Sequence, residues 1–530
     1  MQQNEILDKK YTIFPLCLII ILGLGIRFYN FPLDVPIVND GFFSFVYASK
    51  MVIDGWLPVG YTTTNTGWSY FLALVFSIFN NTEPFQLMTV QRISTIVISS
   101  LTVIPVYFLL RKFVGTRLSL FGGLLFAVEP RLLLISLDGI NFSLFVFLFV
   151  TSITLFLKRT NKSLMLSFVC IALMSLIRYE GILLLIPFTV MFLVFNKTNK
   201  KYLKLFGLVS LFIIILLPIM LIRIDATSEL CYNSLFESEL CGTDGIIINF
   251  IQRTESISDK IIGNPDMDDP IYNKSEPMFG HFLFLSFSNL FKFLAIICLP
   301  YFFIFIGLSV FRFKKRNLKL KSDYVFIIFS TCVMIIPAIY AYGRGFEDYR
   351  YVLIAIPLLT IFSAKIMESF PKMEKNRNIF FVLIFFIILL SIVFIQNEKS
   401  DDDLHREAFY VSKKVYQLTD TINTYQYSGY LKTAEIIEEW PELPKSDPLR
   451  LGKLEMSTTK IPTKGYETIH EFLQDEENEK LQYIVLDKRN EFFNDLRENP
   501  SNYNYLEIIF DSKDLDFENE FKIYRINDRK

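Results

Sequence analysis

The sequence predicts a mainly α, polytopic membrane protein with about 11 transmembrane helices, followed by a C-terminal extracytoplasmic α/β domain. Three observations carry that prediction. Hydrophobic residues make up 52% of the 530 residues, Phe alone contributes 55, and mean hydropathy is +0.38, which is more apolar surface than a soluble chain of this length can hide. Apolar runs of roughly 15–22 residues alternate with short charged loops as far as Gln396. Beyond Gln396 the chain turns polar and acidic and mixes helix-like with strand-like pieces. A net charge of −1 gives no basis for a nucleic-acid partner.

The first run, from Thr12 to Ile26, follows Lys9 and Lys10 and has no small-x-small cleavage site, so it reads as a span and not as a signal peptide. Further runs centre near Thr95, Leu125, Phe147, Ile171, Val190, Ile213, Phe303, Val333, Leu358 and Ile387. Every second loop between them is basic: Arg111, Lys112 and Arg117, then Lys158, Arg159 and Lys162, then Lys197 to Lys204, then "FRFKKRNLKLK", then Lys365 to Arg377. The positive-inside rule places those loops and the N-terminus in the cytoplasm, and an odd number of spans sends the tail outside the cell membrane. The expected division is a transmembrane domain over 1–396 and an α/β domain over 397–530.

Two outer segments are long. In the first, 30–91, Phe42, Phe45, Val46 and Ser49 recur at helical spacing after Asp40, which suits a helix lying in the membrane interface. "GWSYFLALVFSIF" in the same segment is short for a span and reads as interfacial or re-entrant. The second, 225–280, is polar and holds Cys231 and Cys241, which either form a disulfide facing an oxidising exterior or stay free thiols. Sequons at Asn80 and Asn273 are short enough to arise by chance. In the tail, "HREAFYVSKKVYQL", "YLKTAEIIEEW" and "RNEFFNDLREN" read as helices, while "LQYIVLD", "YLEIIF" and "FKIYRI" read as strands of a three- or four-stranded sheet. His281, His405 and His470 are too scattered for a zinc site, and the tail carries no phosphate-binding glycine loop or nucleophile elbow.

Ionisable residues gather near span ends on the expected outer face. They are Asp40, then Glu129, Arg131 and Asp138 in "EPRLLLISLDGINF", then Arg178 and Glu180 in "IRYEG", then Arg344, Glu347, Asp348 and Arg350 in "YGRGFEDYRY". Charge at membrane depth is costly unless it pairs or works. Arginines offer a planar fork for the phosphate oxygens of a lipid head-group, and a carboxylate can act as a base. Structural roles stand beside these: an Arg178–Glu180 ion pair, a helix cap at Glu129 and Arg131, a solvated loop at 344–350, and a helix cap at Asp40.

The order of these pieces resembles the GT-C superfamily of membrane glycosyltransferases, particularly archaeal members like the family 39 dolichyl-phosphate-mannose protein mannosyltransferases. An acid with an Ala-Ser pair eight residues on fits Asp40 and Ala48-Ser49, and "RYVLIAIPLL" from Arg350 is similar to the Arg-Tyr…Pro helix of these enzymes. "LDGINFSLFVFL" and "GWSYFLALVFSIF" fall where relatives carry a second polar motif and an interfacial segment; the likeness covers about residues 12–395 and extends loosely to the tail. The chain departs from the pattern where Gly41 replaces a second acid, with Asn39 before Asp40, and where Asn65-Thr66-Gly67-Trp68 replaces a twin-proline segment.

The resemblance implies an inverting transfer of a sugar from a polyprenyl-phosphate or dolichyl-phosphate donor to an extracytoplasmic acceptor, which is a protein, a glycan or a lipid. It implies Asp40 as general base and Arg178, Arg344 and Arg350 as donor-phosphate ligands. Asn39, Asp138, Glu129, Arg131, Glu180, Glu347 and Asp348 fall to acceptor contact or support. The superfamily is divided over divalent metal, and with no dense acid cluster beside Asp40 the expectation here is no metal and no other cofactor. A secondary transporter or lipid flippase, or a GT-C relative without activity, are the competing readings.

Overall fold

A computed structural model describes the chain outside residues 1, 33–34, 38, 56–65, 80–82, 228–278, 314–321, 344–347, 371–375, 399–401, 426, 441–457, 464, 488–490, 516, 518–520 and 528–530. Cys231, Cys241 and both sequons therefore lie outside the described residues.

Every apolar run read from the sequence is helical, but the runs differ in how they could cross a membrane. Among the described residues six helices are long and apolar enough to do so alone: Thr12–Tyr29, Pro84–Leu110, Lys201–Ile219, Ser322–Gly343, Tyr349–Glu368 and Asn378–Glu398. Two further runs qualify only as bent pairs, Thr116–Ala127 with Pro130–Leu137 at 48° and Leu283–Cys298 with Phe302–Ser309 at 101°. The runs Phe142–Phe156, Asn161–Ile177 and Glu180–Phe195 are shorter than 18 residues. The first bend has a plain local cause. Pro130 occupies the first turn of the new helix, and the Glu129 carboxylate caps it by accepting the Leu132 N–H at 2.7 Å.

The described residues form two compact units. The first comprises 1–30, 62–71 and 92–395 and is almost entirely helical. Aromatic packing and close helix approach hold it. Phe156, Phe188 and Phe326 form a triangle of rings with centroids 4.6–4.9 Å apart, and a Cβ on Gly122 would stand 2.6 Å from Leu110. At its centre Arg27 is fully buried. Its guanidinium donates to Ser136 Oγ (3.0 Å), the Gly23 and Ala127 carbonyls (3.0 Å each) and Ser99 Oγ (2.9 Å), so one side chain ties together four stretches of chain.

The second unit comprises 31–61, 72–91 and 396–530. Its sheet has five strands in the order β2-β1-β3-β5-β4, where β1 is Thr421–Asn423, β2 Thr459–Ile461, β3 Tyr483–Leu486, β4 Leu506–Asp511 and β5 Lys522–Ile526. β1 runs parallel to β2 and β3, and β5 runs antiparallel to β3 and β4. Alternation along β3 and β5 sends side chains to two cores. Val485 and Ile523 meet Ala408, Val411, Val415, Leu431 and Ala434 of the helices Asp402–Leu418 and Gly429–Glu439. Ile484, Leu486 and Tyr524 meet Phe472, Leu473, Phe493 and Leu496. The sheet is wider than the sequence suggested, because β1 and β2 are three-residue strands too short to show a period.

The helix Asn39–Asp54 belongs to this second unit. Its Phe42, Phe45, Val46 and Ser49 stripe is buried within the protein, and Phe43, Val52 and Ile53 are the exposed apolar residues of the helix. Period alone identifies an apolar face but not what covers it.

Candidate active site

Several helix ends of the first unit meet through tight turns. The helix Asn161–Ile177 stops at Arg178, whose backbone is extended (φ −146°, ψ 135°), and a 3₁₀ turn Tyr179–Leu184 follows. Gly181 is required there, since a Cβ would lie 2.6 Å from the Ser175 backbone nitrogen. The turn points Arg178 and Glu180 the same way, and they form a two-pronged ion pair. Arg178 Nη2 donates to Glu180 Oε1 at 2.7 Å and Nε to Oε2 at 3.2 Å. The carboxylate is 5% exposed and the guanidinium 21%, so the arginine keeps an accessible edge.

A second pair has the same construction. Asp348 caps the 3₁₀ turn Tyr349–Ala355 by accepting the Arg350 N–H at 2.8 Å, and its other oxygen accepts Arg350 Nε at 2.5 Å. Tyr342 Oη donates to the Asp348 carbonyl at 2.8 Å, which closes the turn onto the end of the helix Ser322–Gly343. Tyr351 joins the two pairs. The Arg178 guanidinium lies 5.9 Å from its ring centroid, and Arg350 precedes it in the same 3₁₀ turn. Arg178 also lies 5.6 Å from the Phe145 ring.

The turn carrying Asp138 reaches the same neighbourhood. Asn141 Nδ2 donates to the carbonyl of Ile177, beside Arg178, at 3.4 Å. Trp68 Nε1 donates to the Gly139 carbonyl at 3.2 Å, and Arg92 Nε to the Leu137 carbonyl at 2.9 Å. Gly139 has φ 72°, a left-handed turn that favours glycine. Asp138 itself is exposed at the end of the helix Pro130–Leu137.

Glu129 and Arg131 are placed differently. The sequence suggested an outer loop from 129 to 138, but this stretch is the second half of a bent pair, so Glu129 sits roughly 13 Å from Asp138 along the helix. Both side chains are buried. Glu129 pairs with Arg131 at 3.4 Å and caps its helix, while Arg131 Nη1 donates to the Leu299 carbonyl at 2.5 Å and stacks 4.6 Å from the Phe394 ring. Arg27 and Tyr301 share their electrostatic field. The capping read at Glu129 is present, and both side chains are held by contacts within the first unit.

Asp40 lies in the second unit, exposed, in the first turn of the helix Asn39–Asp54. The side chain of Asn39, and all of Arg344 and Glu347, lie outside the described residues. Among the described residues no three His, Cys, Asp or Glu side chains gather as a metal site. Nothing in the sequence marks Arg27, Arg92 or Tyr342 for a site or scaffold, while Trp68 and Tyr351 stand out only as members of the 65–68 segment and of "RYVLIAIPLL".

Three comparisons bear on this arrangement. Residues 66–222 match the family described as dolichyl-phosphate-mannose-protein mannosyltransferase. ArnT from Cupriavidus metallidurans, solved with undecaprenyl phosphate bound, superposes with a TM-score of 0.52 at 11% identity, covering 96% of this chain and 97% of that one. The archaeal oligosaccharyltransferase AglB from Archaeoglobus fulgidus, solved with an inhibitory peptide and a dolichol-phosphate, gives a TM-score of 0.50 at 12% identity over 91% of this chain and 70% of that one. No curated protein matches the sequence. At such identities the likeness to ArnT and AglB is one of fold. The chain shares its fold with these two membrane enzymes. The mannosyltransferase family likeness is confined to residues 66–222.

Proposed function

We propose that the chain is an inverting hexosyltransferase of the cell membrane. It moves a sugar from a polyprenyl-phosphate donor to an extracytoplasmic hydroxyl on a protein, glycan or lipid. The observation that carries this reading is the pair of hydrogen-bonded Arg–carboxylate units, Arg178–Glu180 and Arg350–Asp348, brought together at Tyr351 in a fold shared with ArnT and AglB. Asp40 takes the proton of the acceptor hydroxyl as its oxygen attacks the anomeric carbon. The bond between that carbon and the phosphate oxygen breaks, and its electron pair leaves with the lipid phosphate. Arg178 and Arg350, with Arg344, neutralise the charge that develops there, and Glu180 and Asp348 hold the two guanidinium groups in place. Arginines do this work in place of a divalent cation. Asp138 serves the acceptor side. The N-terminus is cytoplasmic and the C-terminal domain extracytoplasmic, on the alternation of basic loops.

The test is mass spectrometry of surface glycans and of polyprenyl-linked sugars in a strain lacking the chain, with and without the wild-type gene restored. A transferase leaves one sugar missing from the glycans and its lipid-linked donor accumulated. If the donor pool and the surface glycans are both unchanged, the transferase reading fails; a donor absent from the outer leaflet points to a flippase.

The arginine assignment has its own test. Arg178→Lys keeps the charge but loses the fork that engages two oxygens at once. Losing one charge-assisted hydrogen bond costs ~1.5 kcal/mol, so undecaprenyl phosphate, used as the probe, is expected to bind about tenfold more weakly in native mass spectrometry. Wild-type affinity in this variant would remove Arg178 from the phosphate site.

A further inference from the structure

Two residues far from Asp40 in sequence hold the turn that carries it. The buried Gln91 side chain donates its amide N–H to the carbonyl of Gly41, the residue after Asp40, at 2.9 Å. Trp440, the residue that ends the helix Gly429–Glu439 of the C-terminal domain, stacks on Phe45 with centroids 5.5 Å apart and planes 30° apart. Phe45 in turn stacks on Phe42, 6.2 Å away, and meets Phe76 edge-on at 6.0 Å. Phe42 is two residues from Asp40, so the stack runs from the C-terminal domain to the turn in question. The support is stiff at its far end, because Tyr430, Leu431 and Ala434 of the same helix are buried in the domain core. A second tether reaches the helix of Gln91, where Phe85 packs edge-on against Phe409 of the domain at 5.9 Å.

We propose that Gln91 and Trp440 are positioning residues for Asp40, so that the C-terminal domain acts on transfer by fixing the helix that carries the base. The inference rests on the reading of Asp40 given above. A positioned base loses its effect steeply with displacement: an error of about 1 Å costs on the order of 10²-fold in rate. Neither residue touches substrate in this scheme. Each acts only through the carboxylate it places.

The experiment measures the initial rate at which surface glycans reappear after induced expression in the strain lacking the chain, normalised to protein in the membrane. Trp440→Ala is expected to slow this rate about 10–100-fold, and Trp440→Phe, which keeps a ring to stack on Phe45, to restore most of it. In an Asp40→Asn background, Trp440→Ala is expected to have no further effect on the residual rate, because both changes remove one contribution. A merely structural tryptophan would instead add its own loss. Gln91→Leu keeps the side-chain volume and removes the donated hydrogen bond, and it decides the matter if Trp440→Ala does not accumulate in the membrane. Its expected rate is about tenfold below wild type. Wild-type rates in Trp440→Ala or Gln91→Leu, beside a slow Asp40→Asn, would overturn the positioning role and leave Asp40 as the base. A wild-type rate in Asp40→Asn would overturn the base itself, and the positioning role with it.

Discussion

Asp40→Asn is expected to lower the rate of sugar transfer by about 10²–10⁴-fold, the usual contribution of a general base, with the protein level in the membrane unchanged. The two halves of that expectation have separate causes. Asn is nearly the shape of Asp and keeps a polar side chain in the first turn, so the helix Asn39–Asp54 loses only an acid near its positive end, worth about 0.3–1 kcal/mol. The helix is held by burial of Phe42, Phe45, Val46 and Ala48, none of which the substitution touches. What disappears is the ability to take a proton. The measurement compares surface glycans and lipid-linked sugars in strains rescued with either form. A missing sugar with accumulated donor supports the base. Equal glycans would make Asp40 a helix-terminal acid and nothing more.

The departure at Gly41 bears on this. Where the resemblance expects a second acid there is a glycine, and its carbonyl is the acceptor of the Gln91 bond. A single carboxylate with a firmly held backbone can perform proton removal, because that step needs one base in hydrogen-bond reach of the acceptor.

Much of this architecture was legible because it is written locally. Apolar runs mark the helices wherever they occur, and Glu129-Pro130 marks a helix restart that the bent pair realises. Arg178 with Glu180 and Asp348 with Arg350 are two residues apart at span ends, so each pair follows from one short turn. What was not legible depends on partners distant in the chain. Arg27 sits inside the first apolar run, and only the fold brings it Ser99 and Ser136, 72 and 109 residues away. Tyr351 connects two charge pairs more than a hundred residues apart, and Trp440 reaches Phe45 across most of the sequence. The Phe42–Phe45–Val46–Ser49 stripe shows the limit from the other side. Its period was correct, but its cover turned out to be protein, because an apolar face records the need for burial and not the partner that supplies it.

The second large effect is one of stability. Glu129→Ala is expected to destabilise the first unit by about 3–5 kcal/mol, since it leaves buried guanidinium groups without their carboxylate. Arg131 loses its ion pair at 3.4 Å, Arg27 loses a neighbouring negative charge, and the Leu132 N–H loses its cap. The hydrogen-bond acceptors of Arg27 are neutral carbonyls and hydroxyls, which satisfy its hydrogens but do not balance its charge. Glu129→Gln restores an acceptor for Leu132 without the charge and should fall between Ala and wild type. Apparent melting of the detergent-purified protein orders the three forms. Arg27→Met combined with Glu129→Gln removes one cation together with the anion, and is expected to be less damaging than the sum of the two single changes. An acceptor-binding role for Glu129 makes the opposite forecast: transfer falls while all melting midpoints coincide. Melting and transfer measured on the same variants thus separate a carboxylate that holds helices together from one that meets substrate.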